Sequence, residues 1–287
     1  MQFANNSITR YKLVEETICY GVSNNFATIL AISPSAFLER ALDPSHGHSV
    51  MSATSTIQSR FLSTGSLGDP LAADALRRAW ATVDADSCPR QYNFHLHTVC
   101  SDGKLEPEVL IEQAIELGLA GLAITDHHRV SGFGRAWQRL QQIARACPQR
   151  SLPHLWSGVE INGWLDGTEV HLLGYAFDPD CRLLSRYLQG SAVPVVQAVE
   201  VINALHEAGG MVVLAHPARY GRSVTELIPA AARLGVDGVE TYYAYKNPIP
   251  WQPSPMQTRV VRELSATYGL FDTCGTDTHG PSLLSRL

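Results

Sequence analysis

Residues 93–103 read NFHLHTVCSDG. His95 and His97 flank a single leucine. A β-strand has a two-residue period, so side chains at i and i+2 leave the same face. Two imidazoles on one face suit a shared cation. Asp102 comes later, in a loop next to Gly103. The remainder of the chain decides whether this grouping is coincidence.

From Gln91 onward, short apolar runs alternate with amphipathic segments. The strand-like runs are YNFHLHT, GLAITDH, LWSGVEIN, EVHLLGYAF, MVVLAHP, DGVETYYA and LFDTCGTDTH. Helical segments lie between them. PEVLIEQAIELG opens with Pro107 and stops at Gly118. RAWQRLQQIARAC, VVQAVEVINALHEAGG and PMQTRVVRELSATYG show helical spacing. SVTELIPAAARLG opens with Ser223 and Glu226 at capping-box spacing, and Pro229 interrupts it. Alternation of this kind predicts parallel β/α units. Seven strands predict an α/β fold of barrel type, or a barrel-like wound sheet.

The chemistry-bearing residues sit at matching places in these units. The second run ends in Asp126, His127 and His128. The third ends in Glu160 and the fourth carries His171. The fifth ends in His216 before Pro217. The sixth carries Glu240, then Tyr242 and Tyr243. The last ends in Asp277 and His279, again at i and i+2. In β/α barrels the C-terminal strand ends build the active site. Singly, each residue has a bland explanation. Asp102 before a glycine shapes a turn, Glu160 is a solvated strand end, and Asp277 caps the segment after it. Recurring in successive units, they point to one cluster. Imidazole and carboxylate ligands suit Zn²⁺, Mn²⁺ or Fe²⁺. Their number suits two or three ions that share carboxylates and activate water against a phosphoryl group. His46, His48, His154 and His206 fall outside the pattern and read as surface or packing residues.

Residues 1–90 read as an N-terminal extension. LAADALRRAWATV (71–83) is its one helical segment, with Asp69 and Pro70 at its start. VSNNFATILAI is an isolated strand candidate, SHGH an adventitious metal binder at most, and Met51 an alternative start. Residues 91–287 form the candidate catalytic domain. The 287 residues carry a net charge of −5, with 45% hydrophobic and 17% charged residues. An ordinary globular composition without basic excess argues against a stable nucleic-acid partner. No run approaches the roughly 18 apolar residues of a membrane helix. Six scattered cysteines without a C-x-x-C pair read as reduced thiols of a cytoplasmic protein.

Taken together and in order, HLHTVCSDG, ITDHH, GVEIN, EVHLLGY, LAHPARY and GTDTHG resemble the PHP (polymerase and histidinol phosphatase) superfamily, in particular its stand-alone bacterial metal-dependent phosphoesterases. The resemblance spans residues 91 to about 285. It implies a distorted seven-stranded β/α barrel with a trinuclear metal site. It further implies that His95, His97, Glu160 and Asp277 hold one ion. Glu160 then bridges to a second ion on His171 and His216, and Asp102, His127 and His279 hold a third.

The reaction expected is phosphate-ester hydrolysis by a metal-activated hydroxide. The substrate expected is a nucleotide or small phosphorylated metabolite. A 5′–3′ exonuclease on short oligonucleotides, a histidinol-phosphate phosphatase and a non-catalytic metal-stabilised partner-binding module remain alternatives. Arg219, just past His216, is the candidate phosphate clamp, because a guanidinium matches phosphate bidentately. Tyr242, Tyr243 and Lys246 are candidate substrate contacts, and His128 is a candidate proton donor.

Overall fold

The computed structural model describes residues 67–190 and 194–287. VSNNFATILAI, SHGH and Met51 lie outside the described residues. The described residues belong to one compact unit. The elements in order are α1 (Ala73–Trp80), β1 (Tyr92–Asn93), α2 (Pro107–Glu116), β2 (Gly121–Ala123), α3 (Ser131–Ala146), β3 (His154–Trp156), β4 (Gly158–Leu165), β5 (Thr168–Tyr175), β6 (Val196–Gln197), α4 (Ala198–Glu207), β7 (Met211–Leu214), α5 (Val224–Arg233), β8 (Gly238–Tyr242), α6 (Pro255–Tyr268) and β9 (Phe271–Cys274).

The helices obey their sequence signals. Pro107 takes the first turn of α2, and Leu110, Ile111 and Ala114 bury one face. Ser223 caps α5 by accepting from the Thr225 N–H at 3.2 Å. The helix runs through Pro229. Gly269 ends α6 in the left-handed conformation. Ion pairs tie α3 to α2 and its entry, Arg135 with Glu106 and Glu108 and Arg139 with Glu112.

The strands depart from the all-parallel expectation. They form two hydrogen-bonded sheets, β1-β2-β3 and β6-β4-β5-β7-β8-β9. The first is parallel throughout. In the second, β5 runs antiparallel to both β4 and β7, while β7, β8 and β9 are parallel. Isolated bridges, Leu96 to Thr278 and His127 to Glu160, link the segments after β1 and β2 to the segment after β9 and to β4. Among the described residues there is no continuous seven-stranded ladder.

The reason for the reversal is local. Only Asp166 and Gly167 join β4 to β5, and both have positive φ, 46° and 79°. Two residues can close a hairpin of primed type but cannot carry a parallel crossover. A Cβ at Gly167 meets nothing within 4 Å. Gly167→Ala therefore tests φ alone. It should lower unfolding free energy by about 1–2 kcal/mol, read from a denaturant midpoint.

Three apolar clusters fill the unit. One packs α4 and α5 against β4, β5 and β7, with Val159, Leu172, Leu205 and Leu227 among its members. A second packs α2 and α3 against β2, β3 and Leu96. The third lies under the site. There Leu76 and Trp80 of α1 meet Phe94, Tyr175 and Cys274. Trp80 meets Tyr175 edge-on at 5.4 Å. Thus the helical segment expected at 71–83 packs into the same core as the strands. No described helix is long and apolar enough to cross a membrane. Cys88, Cys100, Cys181 and Cys274 are free thiols.

Candidate metal centre

All nine residues singled out as ligands are drawn together, seven from segments that follow strands and two, Glu160 and His171, from within β4 and β5. His95 and His97 lie just past β1 and are fully buried, while Phe94 and Leu96 fill apolar clusters. Glu160 of β4 sits in the middle. Its Oε1 is 2.7 Å from His171 Nδ1 and 3.4 Å from His216 Nε2. Its Oε2 is 3.2 Å from His95 Nε2, 3.1 Å from His97 Nε2 and 3.5 Å from His127 Nε2. The two oxygens of one carboxylate thus face two groups of imidazoles.

Asp277 divides its oxygens in the same way. Oδ1 lies 3.4 Å from His95 Nε2, 3.2 Å from His97 Nε2 and 3.4 Å from His279 Nδ1. Oδ2 accepts from Tyr243 Oη at 2.7 Å, Arg219 at 3.0 Å and Arg286 at 2.8 Å. Asp102 Oδ2 is 3.1 Å from His279 Nε2 and 3.8 Å from His127 Nε2. Four subsets have mutually close ligand atoms: His95–His97–Asp277, His95–Glu160–His216, His127–Glu160–His171 and His97–Asp102–His127–His279. His97 belongs to the same subset as Asp102, so the two ends of HTVCSD meet at one place.

The donor set fits divalent cations. His97 Nε2 lies close to two carboxylate oxygens, yet both of its ring nitrogens, and both of His216, are buried without an aligned hydrogen bond. Buried polar atoms left this way are costly, and coordination would satisfy them. Glu160, Glu240 and Asp277 are also all buried. Three carboxylates out of water require positive charge among them.

The proton balance shows the same tension. Burial raises the Glu160 carboxyl pKa, but His95 and His171 outweigh it and hold it well below the usual range. Asp277 behaves likewise, through His95 and His97. Burial pulls the His95 pKa down, and Glu240, Glu160 and Asp277 push it well above that of an ordinary imidazole. For His97, Asp277 and Glu160 overcome burial and set the value at about 9. For His127 burial dominates and the value falls to about 4.

Backbone strain collects here too. His216 and Asp277 have φ of 25° and 53°, conformations that non-glycine residues rarely adopt. Gly103 is needed beside them, since a Cβ there would come 2.5 Å from the His97 carbonyl. The Asp126 side chain bonds to none of the nine, although its carbonyl accepts from the Glu160 N–H at 3.3 Å. It accepts from Thr98 N, Thr98 Oγ1 and Ser101 Oγ, each at 2.7 Å, and so shapes the loop that carries Asp102.

Some expected contacts are corrected. Tyr242 points into the apolar cluster with Trp80 and Trp251, because it alternates with Tyr243 along the chain. Tyr243 is also buried, and its hydroxyl is spent on Asp277 rather than offered to a ligand. Lys246 is exposed and contributes nothing to the lining of the cavity beside the centre. His128 has both nitrogens engaged, Nδ1 with the Tyr187 carbonyl at 3.0 Å and Nε2 with the Asn162 side chain at 3.2 Å. An imidazole tied to a backbone carbonyl and an amide is held in place rather than poised to deliver a proton.

Other residues enter that sequence reasoning left without a role. Glu240 Oε1 accepts from His95 Nδ1 at 3.0 Å, and Oε2 accepts from the His216 N–H at 2.8 Å. This leaves His95 Nε2 facing Glu160 and Asp277, the arrangement that orients a metal-binding imidazole. Glu240→Gln should weaken metal binding about 10–100-fold without unfolding the protein, measured by metal titration alongside circular dichroism. Arg286 had no sequence signal; folding of the C-terminal segment onto Gln113 brings it to Asp277. Beside the centre lies a cavity of ≈ 780 Å³, lined by Asp102, His127, His171, Arg129, Asn162 and Glu169 among others.

A mixed α/β fold that gathers histidines and carboxylates at strand ends defines a metal-dependent hydrolase. The PHP domain family matches residues 93–239, half of the chain, and the protein belongs to that family as a metal-dependent phosphoesterase. It is similar to the 5′-3′ exoribonuclease Rnm of Escherichia coli, with 24% identity over 66% of this chain and 85% of the relative. The 3′,5′-nucleoside bisphosphate phosphatase of Chromobacterium violaceum is 30% identical over 42% of this chain and 39% of the relative. A solved structure described as a metal-dependent phosphoesterase, from Bifidobacterium adolescentis, superposes with a TM-score of 0.56 at 25% identity, covering 68% of this chain and 91% of that one.

Proposed function

We propose that the protein hydrolyses a phosphate ester of a nucleotide, either a free nucleoside phosphate or the end of a short oligonucleotide. The observation that carries this is the nine-residue cluster around Glu160 and Asp277, opening on a nucleotide-sized cavity. Both the exoribonuclease and the bisphosphate phosphatase to which the chain is similar are named for nucleotide phosphate esters.

On this reading His95, His97, Asp102, His127, Glu160, His171, His216, Asp277 and His279 hold two or three divalent ions, of manganese, zinc or iron. Such ions polarise phosphoryl oxygens and make water a better nucleophile. The chain's own residues do the rest. Glu160 and Asp277 keep the imidazoles in register through their two oxygens. Glu240 holds His95. Arg219, partly exposed and anchored on Asp277 and Tyr243, meets the non-bridging oxygens as charge develops. Arg286 steadies Asp277 from the other side. Arg129, exposed on the cavity wall, meets the remainder of the substrate.

The test is metal analysis and then phosphate or nucleotide release from a panel. The panel holds a nucleoside 3′,5′-bisphosphate, mononucleotides, short 5′-phosphorylated oligoribonucleotides and histidinol phosphate. Chelator-sensitive turnover of a nucleotide substrate is expected. Turnover of histidinol phosphate alone, or a metal-loaded protein inert on the whole panel, would overturn the proposal.

A further inference from the structure

One carboxylate beside the metal centre has no part in the chemistry described so far. Glu169 lines the cavity of ≈ 780 Å³ together with His171, Asn162 and Arg129. It is exposed, and it belongs to none of the four ligand subsets. Among the described residues it makes no ion pair.

Strand geometry puts it there. Glu169 and His171 are two apart on β5, and Asn162 of β4 lies opposite His171. All three therefore share the face that carries Glu160. The step along the strand from His171 to Glu169 is about 7 Å.

The Glu169 side chain is also held in place. A carboxylate only accepts, so the 2.7 Å contact at Glu169 Oε1 fixes the Asn162 amide with Nδ2 donating. Asn162 Oδ1 then lies 3.2 Å from His128 Nε2, and the Asn162 N–H meets the same nitrogen at 3.3 Å. His128 Nδ1 is bonded to the Tyr187 carbonyl at 3.0 Å. A chain of contacts thus runs from the backbone, through His128 and Asn162, to an exposed carboxylate. Ordering a long exposed side chain costs conformational entropy. Here one carboxylate oxygen is anchored, while Oε2 has no partner among the described residues.

Charge decides what can meet Oε2. It repels a phosphate, whereas a hydroxyl donates to it in a strong, charge-assisted bond. The sugar is the part of a nucleotide attached directly to the phosphate, so it falls within one strand step of His171. In a nucleoside 3′,5′-bisphosphate or an oligonucleotide the 3′ and 5′ oxygens are both esterified. The 2′-hydroxyl is the sugar donor that remains.

On the reading that the centre hydrolyses nucleotide phosphates, we infer that Glu169 is a specificity-determining residue that accepts the ribose 2′-hydroxyl, with Asn162 as its positioning residue. A carboxylate takes the same hydroxyl in dinucleotide-binding folds, and that hydroxyl is what separates ribose from deoxyribose.

Turnover of matched substrate pairs by the metal-loaded protein tests this. One pair is adenosine 3′,5′-bisphosphate and its 2′-deoxy counterpart. The other is a short 5′-phosphorylated oligoribonucleotide and the corresponding oligodeoxyribonucleotide. Wild type, Glu169→Ala and Asn162→Ala are compared by the ratio of kcat/KM within each pair, a ratio in which metal occupancy cancels. Wild type favours the ribose member about tenfold or more, the worth of one hydrogen bond to a charged group. The preference falls to near unity in Glu169→Ala and shrinks in Asn162→Ala, with the change in KM rather than kcat. Calorimetric titration with AMP and 2′-deoxy-AMP reads the same preference without turnover. Equal turnover of both members by wild type, or the wild-type ratio retained in Glu169→Ala, would overturn the inference alone. Turnover of neither member by metal-loaded wild type would overturn the proposed function and the inference with it.

Discussion

Glu160→Gln should lower metal content and phosphoesterase turnover together by at least about a hundredfold, the upper end seen for residues that only orient a ligand. The side chain has the same size, so packing is kept. The change is one of charge and donor pattern. Glu160 Oε1 faces His171 and His216, and Oε2 faces His95, His97 and His127. An amide offers one oxygen and one NH₂, so one of the two groups of imidazoles loses its acceptor. No neighbouring carboxylate replaces it, because Asp277 Oδ1 already serves His95, His97 and His279. Metal analysis of the purified variant, beside its circular dichroism and turnover, reads the effect. A folded variant with a full metal complement and wild-type turnover would remove Glu160 from the centre.

Metal uptake by the stripped protein should strengthen steeply as pH rises from 7 to 9. The cause is His97. Burial alone would lower its pKa, but Asp277 and Glu160 hold it at about 9. An ion binds the neutral ring, so it must displace that proton. One such proton makes affinity at pH 7 about a hundredfold weaker than at its plateau. His127, set by burial at about 4, is already neutral and adds no such barrier.

The same shifts act on the stripped fold with definite sign. His97 is raised above the ordinary 6.5, so its contribution to stability is complete below pH 6.5 and is lost as pH climbs through about 9. His127 is lowered, so it penalises the fold as pH falls from 6.5 toward about 4. Calorimetric titration with Mn²⁺ in buffers of different ionisation enthalpy measures both affinity and proton release. Affinity independent of pH, without proton release, would contradict this account.

Much of the fold is readable because local signals agree. Pro107 and Gly118 bracket α2, Ser223 opens α5, and Gly269 closes α6. The period-two spacing of His95 and His97 places both rings on one side, where Glu160 and Asp277 meet them. The direction of β5 escapes the strand–helix alternation although a local signal exists. Asp166-Gly167 is a hairpin dipeptide between two strand-like runs, and it reverses the chain where alternation predicts a crossover. The division of Tyr242 and Tyr243 between core and centre is likewise open to the two-residue period, but their shared aromatic character hides it.

By itself the sequence determined which residue types stand at which strand ends, because periodicity and turn chemistry act over a few residues. It placed His95 and His97 on one face of the same short segment, where Glu160 and Asp277 meet them in the fold. Only the tertiary structure decided the pairings between distant segments. It seated Glu240 behind His95, brought Arg286 from the C-terminal segment to Asp277, and packed Trp80 of α1 beneath the sheets. These contacts join residues far apart in the chain. Their energies come from burial and from charges meeting out of water, and no local pattern encodes either.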